Sequence, residues 1–297
     1  MNTTSPQTVR TVVVATDLSP ASEIAVDQAA MLARRWDADL VLLHVFNDGV
    51  WATITAIYES EVWAGAEPVL VARNRLSQQV REVAARHAVR ARGETRTGRA
   101  ASEIAAFCRE QDAQLLVVGE HGEDWIGEAV LGGTAQRVLA RADLPVLLVR
   151  RAVSAELSCI LLATDFSDNA TRAAQLSLDW FPDVRQRLLH ACTVAFEGRM
   201  RMAGVSLEHI EGYRRDELAR AEQRMEAQMQ ALRSAAPVGK RIVQGYPTTV
   251  LLREIERLGA ALLVIGKHGG TMLDERLLGS ITQNLLYRAD CNVLLVP

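Results

Sequence analysis

Val12-Val13-Val14-Ala15-Thr16-Asp17-Leu18-Ser19 lies near the start of the chain and returns as Ile160-Leu161-Leu162-Ala163-Thr164-Asp165-Phe166-Ser167. Each copy is a short aliphatic run that breaks into a polar turn, with a serine placed to cap a following helix. Other pairs keep the same spacing. Leu42-Leu43-His44 returns as Leu188-Leu189-His190, Gly119-Glu120-His121-Gly122 as Gly266-Lys267-His268-Gly269, and Arg141-Ala142-Asp143 as Arg288-Ala289-Asp290. Asp17 to Asp165 is 148 positions, His44 to His190 is 146, and Gly119 to Gly266 is 147. A shift held so closely across both halves marks a duplicated domain. The length of 297 residues agrees, at roughly 150 residues per domain. The expected domains are 1–151 and 156–297, with a short linker between them.

Within each half, apolar runs alternate with helix-like segments. Strands are expected at 9–16, 39–46, 115–119 and 146–150, with a weak one near 94–97. Amphipathic segments fall at 19–36, 68–92, 100–111 and 133–141. The second half repeats the scheme, with strands at 159–164, 187–193, 241–243, 262–266 and 293–296. Short β-rich runs separated by helices argue for a parallel sheet covered on both faces. Each half is therefore read as a doubly wound α/β domain with a five-stranded parallel sheet.

Composition narrows the function classes. Hydrophobic residues make up 49% and charged residues 23%, an ordinary globular balance. A net charge of -3 gives no basic footprint for nucleic acid and no polybasic patch for an anionic membrane. The first ten residues have no apolar h-region. Apolar stretches such as Leu40 to Val45 fall far short of the ~20 residues a bilayer span requires. The four cysteines, Cys108, Cys159, Cys192 and Cys291, form no C-x-x-C pair and read as buried, reduced thiols. A cytoplasmic protein is the expectation.

In an open parallel sheet, ligands sit beyond the carboxyl ends of the strands, where strand order reverses. Three segments of each half should meet there: the turn carrying Asp17 or Asp165, the end of the second strand at Val45 or Ala191, and the glycine-rich loop after the fourth strand. In the second half that loop reads Gly266-Lys267-His268-Gly269, then nine residues, then Gly279-Ser280. Glycines let backbone N–H groups approach phosphate oxygens closely. A helix N-terminus adds unpaired donors and partial positive charge, and Ser280 can donate its hydroxyl. The loop is neither G-x-x-x-x-G-K-[ST] nor G-x-G-x-x-G, which removes the usual support for P-loop hydrolases and dinucleotide dehydrogenases.

The Ala-Thr-Asp-x-Ser opening, the Leu-Leu-His at the end of the second strand and the G-x-x-G-x(9)-G-[ST] loop together resemble the universal stress protein family in its tandem form. The resemblance covers nearly the whole chain. It implies an adenine nucleotide α-hydrolase-like fold, association through sheet edges and, in one subclass, bound ATP with Mg²⁺. Carried over residue by residue, it implies Asp165 for adenosine, the Ala191 backbone for the base, and Gly266, Gly269, Gly279 and Ser280 for ribose and phosphates. Ala163, in the opening motif, and His268, in the loop, complete the candidate ligand set. The family usually has Val where Ala191 stands, a departure that matters little for a backbone contact.

The halves are not equivalent. Gly133 stands where Ser or Thr belongs, and Thr134 comes one place late. From Gly119 to Thr134 there are four acids, Glu120, Glu123, Asp124 and Glu128, and no Lys or Arg; from Gly266 to Ser280 two acids are balanced by Lys267 and Arg276. Like charges at ~4 Å repel by about 1 kcal/mol in water and more at a partly buried site. The second half is therefore expected to hold the nucleotide site and the first to be degenerate.

Plainer readings stand beside these. Asp17 and Asp165 also suit helix capping, and His44 and His190 suit structural roles. Lys267 reads as a solvated loop cation. Met200, Met202, Met225 and Met229 read as packing, as do Trp51 and Trp63 over the sheet. In Gly245-Tyr246-Pro247 the tyrosine reads as a cleft residue.

The leading functional reading is a stress-response protein that binds ATP in its second half and acts as a nucleotide-dependent switch or scaffold. No Ser-His-Asp, Cys-His or metal-ligand set has coherent spacing, so slow hydrolysis is the most expected of it as an enzyme. Two alternatives remain: a scaffold working through protein contacts alone, and a binder of AMP or a cyclic nucleotide. An adenylating enzyme would carry an S-G-G-x-D-S or H-I-G-H loop, which the sequence lacks. The final strands of the two halves are expected to pair as a pseudo-dimer within the chain, leaving other faces for a homodimer.

Overall fold

The computed structural model describes residues 8–57, 67–122, 131–152, 157–194, 196–267 and 278–297. The chain divides between residues 155 and 156 into two compact units. The first runs β1 (Thr11–Ala15), α1 (Pro20–Trp36), β2 (Asp39–Phe46), α2 (Asp48–Ile57), α3 (Pro68–His87), β3 (Ala91–Thr97), α4 (Ala100–Glu110), β4 (Leu115–Gly119), α5 (Gly133–Arg141) and β5 (Val146–Val149). The second runs β6 (Ile160–Ala163), α6 (Asp168–Trp180), β7 (Gln186–Cys192), α7 (Glu197–Met202), α8 (Leu207–Ala231), β8 (Gly239–Gln244), α9 (Pro247–Leu258), β9 (Leu262–Gly266), α10 (Ser280–Arg288) and β10 (Asn292–Val296).

Each unit holds a five-stranded parallel sheet. The strand order is β3-β2-β1-β4-β5 in the first and β8-β7-β6-β9-β10 in the second. The inner strands are largely aliphatic because both their faces are covered: Val12, Val13 and Val14 of β1 are fully buried, as are Val117 of β4 and Leu263 of β9. The edge strands read differently. β3 is Ala-Arg-Gly-Glu-Thr-Arg-Thr and β8 is Gly-Lys-Arg-Ile-Val-Gln, both largely solvent-facing. Charge on an edge discourages pairing with foreign strands, and it also hides the strand from a reading based on apolar runs. β3 begins three residues before its expected start.

Helix ends follow local chemistry. Ser19 and Ser167 cap α1 and α6, each accepting a backbone N–H three residues on. α3 stops at His87, short of the expected 92, because Ala88 turns left-handed at φ 52° and closes the helix with a bond to Ala84 O. α2 and α7, each following the second strand of its unit, were not anticipated from periodicity. α7 spans 6 residues, too few for a 3.6-residue repeat to register.

All four cysteines are free and buried, and burial pushes the Cys108 thiol up to about 12. Among the described residues no helix is long and apolar enough to cross a membrane. In each unit order reverses between the first and fourth strands, β1 and β4 or β6 and β9, so each has one switch point.

Candidate functional site

The duplicated Thr-Asp-x-Ser segment forms the same turn in both units, just past the carboxyl end of the first strand. Thr16 Oγ1 accepts the Leu18 N–H at 3.1 Å, and Thr164 Oγ1 accepts the Phe166 N–H at 2.8 Å. Asp17 Oδ1 accepts the Ser19 N–H at 3.0 Å and its hydroxyl at 2.6 Å; Asp165 does the same to Ser167 at 3.0 and 2.5 Å. These side-chain bonds replace a backbone turn and hold Leu18 and Phe166 in left-handed conformations, φ 67° and 65°. Bulky residues there are strained, by about 1–3 kcal/mol. The capping reading of the aspartates is thereby corrected. The serines cap the helices, and each aspartate orients its serine.

In the second unit this turn borders a cleft of about 250 Å³ at the switch point. Ala163, Thr164 and Asp165 form one side, and Leu189, His190 and Ala191 at the end of β7 form the next. Pro247 and Leu251 of α9 add an apolar wall. Ile265 and Gly266 end β9, and Gly279, Ser280, Ile281 and Thr282 supply the N-terminus of α10. The structure thus brings together Ala163, Asp165, Ala191, Gly266, Gly279 and Ser280. His268 and Gly269 lie outside the described residues.

Each contributor has a local reason for its place. Thr282 Oγ1 donates to Gly266 O at 3.3 Å, tying α10 to the end of β9. The N-cap of α10 is Gly279, which offers no side-chain cap bond, so the first-turn N–H groups point outward without an intrahelical partner. Gly266 is small because its own fold demands it: a Cβ would press on the Asn169 carbonyl carbon at 3.2 Å and the Ala170 nitrogen at 3.3 Å. Gly279 differs. Among the described atoms a Cβ there would meet Thr282 Oγ1 alone, at 3.8 Å. Gly279 itself lines the cleft. His190 Nδ1 sits 2.9 Å from Thr164 O; since a carbonyl only accepts, Nδ1 carries the proton. Burial lowers the His190 pKa, which keeps the imidazole neutral at pH 7. The ring is a structural strut, as the sequence suggested, and His44 makes the matching 3.0 Å contact to Thr16 O.

Several residues stand otherwise than expected. Tyr246 is 60% exposed and its neighbour Pro247 lines the cleft instead. Lys267 is 4% exposed, a buried residue rather than a solvated loop cation; it stands one residue past the end of β9. Met225 is buried, whereas Met202 is exposed. Trp51 is half-buried, and Trp63 lies outside the described residues. Pro247, Leu251 and Thr282 were missed as cleft residues. The i, i+4 spacing of Pro247 and Leu251 was the available signal.

The corresponding place in the first unit is arranged differently. Gly132 donates its N–H to Glu120 O at 2.9 Å, and a Cβ there would meet that oxygen at 3.1 Å. A Cβ at Gly122 would collide with Asp17 Oδ2. Glu120 pairs with Arg150 at 3.0 Å, with 17% and 10% of the two side chains exposed. The count of uncompensated acids is therefore one too high, because its cation arrives from beyond β5. Glu123, Asp124 and Glu128 lie outside the described residues.

The model of the universal stress protein family matches residues 8–150 and matches again at 158–297. The chain belongs to that family. A universal stress protein of Mycolicibacterium smegmatis is 27% identical over 292 residues, which is 96% of each chain. One from Bacillus subtilis is 31% identical over 142 residues, 46% of this chain and 96% of that protein. The crystal structure of a universal stress protein from Archaeoglobus fulgidus superposes with a TM-score of 0.67 at 18% identity, covering 96% of this chain and 97% of that one. These relatives support the tandem α/β architecture of the universal stress proteins for this chain.

Proposed function

We propose that the second unit binds an adenine nucleotide, ATP accompanied by Mg²⁺, and that this universal stress protein acts as a nucleotide-dependent switch or scaffold with at most slow hydrolysis. The observation that carries the reading is Gly279. Its absent Cβ opens space beside an uncapped helix N-terminus at the switch point, an arrangement suited to phosphate oxygens. The residues present fit such a ligand. Exposed Asp165 can accept from a ribose hydroxyl, the Ala191 backbone can meet the base edge, and Pro247 and Leu251 give the base an apolar wall. Ser280 and the first amides of α10 can donate to phosphate, with Gly269 and His268 assigned to the same task from their spacing. Mg²⁺ partly neutralises the triphosphate it accompanies.

The first unit is proposed to hold no nucleotide. Its loop is bonded onto itself through Gly132 and Glu120, and Asp17 packs on Gly122. Mass spectrometry of nucleotide released from freshly purified protein, followed by titration with Mg-ATP, tests the reading. ATP and a stoichiometry near one are expected. AMP or a cyclic nucleotide would change the ligand, two equal sites would remove the asymmetry, and no nucleotide would leave a scaffold working through protein contacts.

A further inference from the structure

We propose that Arg224 of α8 is a positioning residue for the second-unit cleft: through Phe166 it holds the strained turn that presents Asp165 to a ligand. The proposal rests on the nucleotide reading of that cleft. Phe166 has a left-handed backbone, φ 65°, a state bulky side chains rarely adopt; the Thr164 and Asp165 side-chain bonds hold it there as their counterparts hold Leu18, and the Phe166 ring adds contacts of its own. Thr164 Oγ1 holds its N–H at 2.8 Å. The His190 ring lies against it with centroids 4.2 Å apart. The Arg224 guanidinium covers the Phe166 ring at 4.8 Å, and its Nη2 reaches Asp165 O at 3.4 Å. One turn further along α8, Gln228 Oε1 accepts the Thr164 hydroxyl at 2.9 Å. One helix face therefore grips the turn at three consecutive residues.

A surface arginine is most often a solvated charge or half of an ion pair. Arg224 is exposed, yet among the described residues it has no carboxylate within ion-pair distance; it contacts the Phe166 ring and the Asp165 carbonyl, and its charge acts on His190. The guanidinium braces the turn through both contacts. The first unit supplies an internal contrast. Leu18 occupies the place of Phe166 with the same left-handed backbone but offers no aromatic face to a cation.

The test uses the full chain and the variants Arg224→Ala, Arg224→Lys, Phe166→Leu and Asp165→Ala. Calorimetry with Mg-ATP should show Arg224→Ala and Phe166→Leu weakening binding roughly 2- to 5-fold, the span of one cation–π contact at an exposed site, with cooperative thermal unfolding retained. Arg224→Lys, which keeps a cation over the ring, should recover most of that loss. Without ligand, and above pH 8 so that loss of the Arg224 charge does not alter His190 protonation, the His190 ring signals in carbon–proton NMR spectra, shifted by the Phe166 ring current, should move in Arg224→Ala. Parent-like affinity in Arg224→Ala, with Asp165→Ala impaired, overturns the positioning role and leaves the nucleotide reading standing. Reduced affinity with unmoved His190 signals also overturns it, since Arg224 would then act on the ligand directly. If the parent binds no adenine nucleotide, that reading fails; the His190 signals then decide the turn role alone, supporting it if they move and rejecting it if they do not.

Discussion

Asp17 and Asp165 stand at the same place in the two units, and each holds the serine that caps the next helix. Asp17 is half-buried against Gly122, whereas Asp165 is exposed beside an open cleft. The glycines of the two loops diverge in the same sense. Gly132 is required by the Glu120 carbonyl, while Gly279 answers to no nearby described atom except Thr282 Oγ1 at 3.8 Å. Duplication has preserved the glycines and changed their reason for being there. A shared G-x(9)-G spacing therefore reports common descent of the loop. Whether it reports a ligand depends on what a Cβ would strike.

The strongest way to break this comparison is to place a β-branched side chain in each loop. Gly269→Val should abolish Mg-ATP binding, measured by calorimetry, as the phosphate role assigned to the glycine spacing requires. Gly122→Val should leave affinity nearly unchanged and instead destabilise the first unit, through the collision with Asp17 Oδ2. Overpacking of that kind costs about 1–3 kcal/mol, readable in chemical denaturation. If Gly122→Val weakens ATP binding as much as Gly269→Val, the units are functionally equivalent and the contrast collapses.

A gentler substitution sharpens the same point. Ser280→Ala removes one hydroxyl donor and should cost about 0.5–3 kcal/mol of nucleotide affinity, the range for a hydrogen bond to a charged acceptor. Its mirror, Gly133→Ser, restores the missing hydroxyl to the first unit. Among the described atoms the new Cβ meets only the end of the Arg137 side chain, at 3.0 Å, which can swing aside. Even so, binding stoichiometry should stay near one, since the Gly132–Glu120 bond and the Asp17 contact remain. A second site appearing in Gly133→Ser would mean that a single hydroxyl, and no loop closure, separates the units.

Much of this was legible in the sequence, and the physical reason is repetition. Two copies of one turn and one glycine spacing establish the duplication before any helix is assigned. Inner strands such as Leu115–Gly119 announce themselves because burial on both faces demands runs of aliphatic residues. What escaped depended on the third dimension. No local pattern says that Arg150, past the end of β5, will meet Glu120 past the end of β4. The strands are thirty residues apart in the chain and neighbours in the sheet. Lys267 looked like a loop residue because its neighbours are glycine and histidine, yet its backbone N–H bonds Val296 O at 2.7 Å, drawing it into the sheet end. Ala88 carries no signal for the left-handed turn that ends α3, since alanine is a good helix former. Within the site, the strand-end and glycine contributors were readable from order alone. The wall given by Pro247 and Leu251 required knowing which face of α9 turns inward.

The smallest expected effect separates the units by acid–base chemistry. Cys108 in α4 is buried, and burial holds its thiol at about 12 against an ordinary value of 9.0. The counterpart position in the second unit is Ile255, also buried, which has nothing to ionise. The folded pKa is raised, so the contribution is complete below pH 9 and fades as pH rises toward 12, because the unfolded chain loses the proton first. Between pH 9 and 10 the first unit should lose about 1 kcal/mol from this thiol, a little under the full 1.36 kcal/mol per pH unit. Urea unfolding of the parent and of Cys108→Ala across pH 8 to 10 measures it as a difference. Burial also raises the Cys192 thiol, but that residue is present in both proteins and cancels. The parent should lose stability more steeply than Cys108→Ala above pH 9. Parallel curves would mean the thiol meets solvent in the folded state, and α4 would then pack less tightly than the buried face of α9 to which it corresponds.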